Sequence, residues 1–182
     1  MSPGLAGERV LILGAETEIG RAVTTAVAEA GASVAAVAAT SDAEAAFAVQ
    51  RLARRLSSGD RKVIAQAIDA TNEAAVRVMV RQVSKEFGGV SVVVDCTLAM
   101  IPEPSETEWL PRKFLRIYGG KELERHDGSR FVEVRSGWME VLMRFYWPEK
   151  PRQDNTITTY DRSADAIASD VVGAVAGEAE SG

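Results

Sequence analysis

Apolar positions in this chain change period in a regular order. The run Val10-Leu-Ile-Leu13 breaks at Gly14. Helical spacing then takes over, with Ile19, Ala22, Val23, Ala26, Val27 and Ala30 on one face. Gly31 is a C-terminal stop, and Ser33 to Ala39 is a second, nearly all-apolar run. Ser41-Asp-Ala-Glu44 fits a capping box opening a helix that carries Phe47, Leu52 and Leu56. Lys62 to Asp69 reads as a third strand. Thr71 is expected to cap a third helix, striped by Val76, Met79, Val80, Val83 and Phe87 and closed by Gly88-Gly89. Ser91 to Thr97 is a fourth strand. Alternating strands and helices predict an α/β fold with a doubly wound parallel sheet and right-handed crossovers.

The pattern changes after residue 101. Gly119-Gly120, Asp127-Gly128 and Ser136-Gly137 are two-residue turn signals. They separate segments 113–118, 121–126, 129–135 and 138–147. From residue 138 the apolar Met139, Val141, Met143, Phe145 and Trp147 alternate with Glu140, Arg144 and Tyr146. The expectation is an antiparallel β-meander insertion over 110–150. Residues 148–155 read as a linker and Thr156 to Tyr160 as a strand. Ser163 caps a last helix with Ile167, Ala168, Val171, Val172 and Val175 on one face. That β–α pair is expected to return as the fifth strand of the parallel sheet. The domain would then comprise 8–101 plus 154–178, with a loose tail at 179–182.

Composition narrows the class. The 182 residues are 46% apolar and 26% charged, as in a soluble globular protein. A net charge of -5 disfavours a nucleic-acid partner. Segment 110–150 is net +3 against -8 for the remainder, which suggests self-association or a protein partner there. No apolar run approaches membrane-spanning length, and no basic, apolar leader opens the chain. The cytoplasm is the expected compartment. The single Cys96 and single His126 supply no metal cluster.

The loop Leu13-Gly14-Ala-Glu-Thr-Glu18-Ile19-Gly20, with Asp69 after the third strand and Asp95-Cys96-Thr97-Leu98 after the fourth, resembles the N-terminal half of the short-chain dehydrogenase/reductase family. That family opens with Thr-Gly-x-x-x-Gly-x-Gly, has an Asp near the adenine after strand three, and has Asn-Asn-Ala-Gly after strand four. The resemblance implies a Rossmann-like domain, of strand order 3-2-1-4-5, for NAD or NADP. Gly14, Thr17, Glu18, Ile19, Gly20, Thr40, Asp69 and Thr97 would then lie at the cofactor. Glu18 stands where the family has its middle glycine. A carboxylate roughly 5 Å from a pyrophosphate charge repels it by about 3 kcal/mol at an effective dielectric of ~20. The simpler role of Glu16 and Glu18 is to favour the positive end of the first helix. Ala39-Thr40-Ser41-Asp42 presents no residue that decides between NAD and NADP.

The resemblance also implies a Tyr-x-x-x-Lys pair on a helix and a Ser on the preceding strand. Tyr146, Lys150 and Ser136 match by residue type. Tyr and Lys four apart meet only on a helix, yet Pro148 lies between them and Pro151 follows. Two functions are therefore carried forward. One is a degenerate, non-catalytic relative that binds a dinucleotide weakly or serves as an interaction subunit. The other is an active NAD(P)-dependent oxidoreductase with an atypical Tyr146/Lys150 site.

Overall fold

Strand β1 (Arg9–Leu13) occupies an interior place in the sheet because Val10 to Leu13 are apolar without interruption and are buried on both faces. The computed structural model describes residues 4–99, 130–136 and 156–177. Around β1 stand β2 (Ser33–Ala38), β3 (Val63–Ala67), β4 (Val92–Asp95), β5 (Arg130–Arg135) and β6 (Thr156–Thr158). Their order is β3-β2-β1-β4-β5-β6, and every neighbouring pair is parallel. The expected doubly wound sheet is present.

Helices α1 (Glu18–Glu29), α2 (Ala43–Leu56) and α4 (Ala164–Ala176) cover one face, over Val10, Ile12, Val34, Val92, Val94, Val132 and Val134. Helix α3 (Glu73–Phe87) covers the other, packing Val76, Met79, Val80 and Val83 on Leu11, Leu13, Val37 and Val93. Ile167, Val171, Val172 and Val175 seat α4 beside α1. Each such burial contributes about 1.5–3 kcal/mol relative to exposure.

The structure corrects several expectations. Arg130–Arg135 belongs to the parallel sheet, flanked by β4 on one edge and β6 on the other, so it is no antiparallel meander strand. The strand begun by Thr156 is therefore sixth rather than fifth. The other proposed meander segments, 113–118, 121–126 and 138–147, lie outside the described residues. Helix α2 is capped by Asp42, whose carboxylate accepts the Ala45 N–H at 3.0 Å, and not by Ser41. Helix α3 is capped by Asn72, because Thr71 turns its hydroxyl to Asp69. Phe47, expected in the α2 apolar face, is 64% exposed.

Candidate functional site at the C-terminal edge of the sheet

All six strands end on the same edge, which brings Gly14, Ala39, Asp69, Thr97 and Ser136 to one side of the molecule. In an open α/β sheet this is the edge where ligands bind. The β1–α1 loop is its best-defined part. Gly14 has φ 85, a conformation that strongly favours glycine. Its N–H and that of Ala15 donate to the Val37 carbonyl at 2.9 and 3.1 Å. Thr17 then closes the loop. Its hydroxyl donates to the Gly14 carbonyl at 2.8 Å and accepts the Gly20 N–H at 2.9 Å as the α1 N-cap.

Two glycines set how closely this loop packs. A β-carbon on Gly14 would stand 3.1 Å from both the Cys96 carbonyl carbon and the Thr97 nitrogen, so the loops after β1 and β4 touch here. A β-carbon on Gly20 would stand 1.9 Å from the Gly14 carbonyl oxygen. Helix α1 therefore starts directly against its own phosphate-type loop.

The first-turn amides of Glu18 and Ile19 have no intrahelical acceptor, and no acceptor for them occurs among the described residues. With the Gly14 and Gly20 cradle they fit a pyrophosphate at a helix N-terminus. Glu18 is exposed, with its side chain at the first helical position. Arg21 donates through Nη1 to the Glu16 carbonyl oxygen at 2.8 Å.

The remaining sequence-predicted residues sit around this cradle. Asp69 Oδ1 accepts the Thr71 N–H at 3.0 Å and its hydroxyl at 2.6 Å. The Ala70 N–H donates to the Ala39 carbonyl at 3.1 Å, which sets the loop after β3 beside the end of β2. Thr40 accepts the Asp42 N–H at 3.2 Å. Thr97 donates through its N–H and hydroxyl to Asp95 Oδ1 at 2.9 and 2.6 Å. Ser136 directly follows β5, and its N–H donates to the Leu98 carbonyl at 3.0 Å. It thus adjoins the loop that carries Thr97. Tyr146 and Lys150 lie outside the described residues, as does His126.

Glu16 is the residue the sequence reading missed. Its carboxylate does more than favour a helix end. Oε2 accepts the Ala39 N–H at 3.1 Å, reaching from the loop after β1 to the end of β2. Cys96 is fully buried, and burial pushes its thiol pKa well above the ordinary value, with the charges of Asp95 and Glu16 adding to the effect. It is a small core residue and no nucleophile at neutral pH. On β5 the Glu133 and Arg135 side chains form a buried ion pair at 2.6 Å. Among the described residues no cluster of His, Cys, Asp and Glu is arranged to hold a metal. No described helix is long and apolar enough to cross a membrane.

Residues 8–110 match the family model described as short chain dehydrogenase. A glycine betaine reductase, ATRR, of Emericella nidulans is 32% identical over 109 residues, 58% of this chain; the match spans only 8% of that protein's length. A short-chain dehydrogenase/reductase variant from Serratia marcescens superposes with TM-score 0.59 at 27% identity, covering 73% of this chain and 57% of that one. A short chain dehydrogenase from Burkholderia cenocepacia, solved in complex with NADP, gives TM-score 0.66 at 21% identity, covering 97% and 94% of the two chains.

Proposed function

This chain belongs to the short-chain dehydrogenase family, and on that premise we propose that it binds a nicotinamide dinucleotide without carrying out the family's Tyr/Lys-assisted hydride transfer. The observation that carries the binding half is the cradle made by Gly14, Thr17 and Gly20 below the open amides of Glu18 and Ile19. Those amides would hold the pyrophosphate. Thr40 and Asp69, adjoining the end of β2 and following β3, would hold the adenosine portion. Thr97, beyond β4, would face the nicotinamide ribose. Such a group, when bound to a catalytic relative, would supply or accept a hydride at its nicotinamide ring.

The non-catalytic half rests on the chain itself. In the sequence, Pro148 between Tyr146 and Lys150, with Pro151 after them, opposes the helical geometry in which a Tyr and a Lys four apart act together. A tyrosine hydroxyl that lacks an adjacent ammonium is a poor acid–base group at neutral pH.

A second reading, an active oxidoreductase, is favoured by one observation. Ser136 closes β5 and bonds the loop after β4, at the edge where a substrate carbonyl would approach the nicotinamide. The test is a turnover assay with NADH and NADPH over a panel of ketones, aldehydes and carboxylate-bearing carbonyls, run on the intact chain and on Tyr146→Phe. The proposal predicts binding without turnover in either protein. Turnover that Tyr146→Phe abolishes would establish the second reading instead.

A further inference from the structure

The end of β2 is the place in a dinucleotide fold where the adenosine ribose is read: an acid accepts its 2′-hydroxyl, or an arginine accommodates a 2′-phosphate. In this chain the residues directly after β2 do neither. Asp42, the nearest acid in sequence, is exposed and caps α2, its Oδ2 accepting the Ala45 N–H at 3.0 Å, with no bond to the backbone at the end of β2. Thr40 accepts the Asp42 N–H and adds no charge. The acid at this place comes from a different element. Glu16 crosses from the β1–α1 loop, and its Oε2 accepts the Ala39 N–H at 3.1 Å.

We infer that Glu16 is the specificity-determining residue of the nucleotide site, selecting the unphosphorylated ribose of NAD(H) over the 2′-phosphate of NADP(H). The inference rests on the dinucleotide-binding reading above. The Ala39 bond engages one carboxylate oxygen, and the other has no partner among the described residues, so it remains an acceptor for ribose hydroxyls. A 2′-phosphate brings close to two negative charges to the same place, against a half-buried carboxylate whose position is fixed. The charged groups that open α1 and α2 do not offset this. Glu18 and Arg21 come from α1, and Asp42 and Glu44 from α2. Arg21 is the sole cation among these four, and its Nη1 is directed to the Glu16 carbonyl oxygen at 2.8 Å.

The experiment is a calorimetric titration of the full chain with NADH and, separately, NADPH, repeated on Glu16→Gln and Glu16→Arg. Gln retains an oxygen for the Ala39 N–H and removes only the charge. A thermal midpoint close to that of the parent chain confirms the fold. Displacement by 5′-ADP against 2′,5′-ADP gives a second readout without the nicotinamide. The expected result is NADH binding at least tenfold tighter than NADPH. Glu16→Gln should narrow that ratio about tenfold, chiefly by improving NADPH, and Glu16→Arg should invert it. Equal affinity of the parent chain for the two, or an unchanged ratio in Glu16→Gln, overturns the inference while leaving dinucleotide binding intact. Binding of neither dinucleotide at millimolar concentration overturns the site and the inference together.

Discussion

A β-carbon on Gly20 would stand 1.9 Å from the carbonyl oxygen of Gly14, so the first turn of α1 and the end of β1 are in backbone contact. The Gly14 carbonyl carbon at 2.7 Å and the Ala15 Cα at 2.9 Å would be the next atoms met, and all three belong to the backbone. Gly20→Ala would gain about 1 kcal/mol of helix propensity. The overlap costs more, about 3 kcal/mol or above, because backbone must move. Urea unfolding should show a net loss of about 2 kcal/mol or more at unchanged slope. A midpoint equal to that of the parent chain would mean that α1 does not sit against Gly14 as described.

Glu18 offers a second test, because its exposure changes the size of the effect. The separation of roughly 5 Å and dielectric of ~20 that give about 3 kcal/mol describe a charge screened little by water. An exposed carboxylate is screened by solvent and salt, and its repulsion falls to about 1 kcal/mol or less. Glu18→Gln is therefore expected to tighten NADH binding about three- to fivefold at low salt, and hardly at all at 0.5 M salt. A salt-independent hundredfold gain would place that carboxylate directly against the phosphates.

The Glu133–Arg135 pair tests the burial of β5. Both side chains are 3–4% exposed, so removing one partner strands a charge away from water. Arg135→Ala is expected to destabilise by about 3–5 kcal/mol. The double replacement Glu133→Leu with Arg135→Met removes both charges and is expected to cost less than the single one. Denaturant midpoints for the three chains decide this. A double variant as weak as Arg135→Ala would show that the pair is held by more than mutual charge compensation.

Cys96 makes stability depend on alkaline pH. Its thiol pKa is raised on folding from the ordinary value of 9.0. The unfolded chain therefore loses this proton first as pH rises, while the folded chain keeps it. The associated stability is complete below the unfolded pKa and is lost as pH rises above it toward the folded value, at up to about 1.4 kcal/mol per pH unit. Between pH 8 and 10 the parent chain should lose stability more steeply than Cys96→Ala. Parallel curves for the two proteins would show that the thiol titrates alike in both states.

The N-terminal half was legible because each element had its own period: unbroken apolar runs for β1, β2 and β4, and 3.6-residue stripes for α1 and α3. Strand β5 was misread for a physical reason. The turn signals Asp127-Gly128 and Ser136-Gly137 flank Arg130-Phe-Val-Glu-Val-Arg135, and its three charges are unlike the unbroken apolar runs of β1, β2 and β4. Pairing of Glu133 with Arg135 allows that pattern to be buried in a parallel sheet. Caps shifted by one residue at α2 and α3 because two capping residues stand side by side, and only the fold decides which is used. Glu16 was hidden for a similar reason: 23 residues separate it from Ala39, and the contact exists only once β2 lies beside β1. The one available signal was negative, the lack of a committed acid or base after β2.

The most direct test of the account is a calorimetric titration of the intact chain with NADH. The account predicts saturable, one-to-one binding in the micromolar range that Gly14→Val abolishes, since a side chain there would meet Cys96 and Thr97 at a backbone of positive φ. To separate this from unfolding, the variant's far-ultraviolet circular dichroism must match that of the parent chain. No heat of binding at millimolar NADH would contradict the account and leave the cradle of Gly14, Thr17 and Gly20 as a structural joint between β1 and α1.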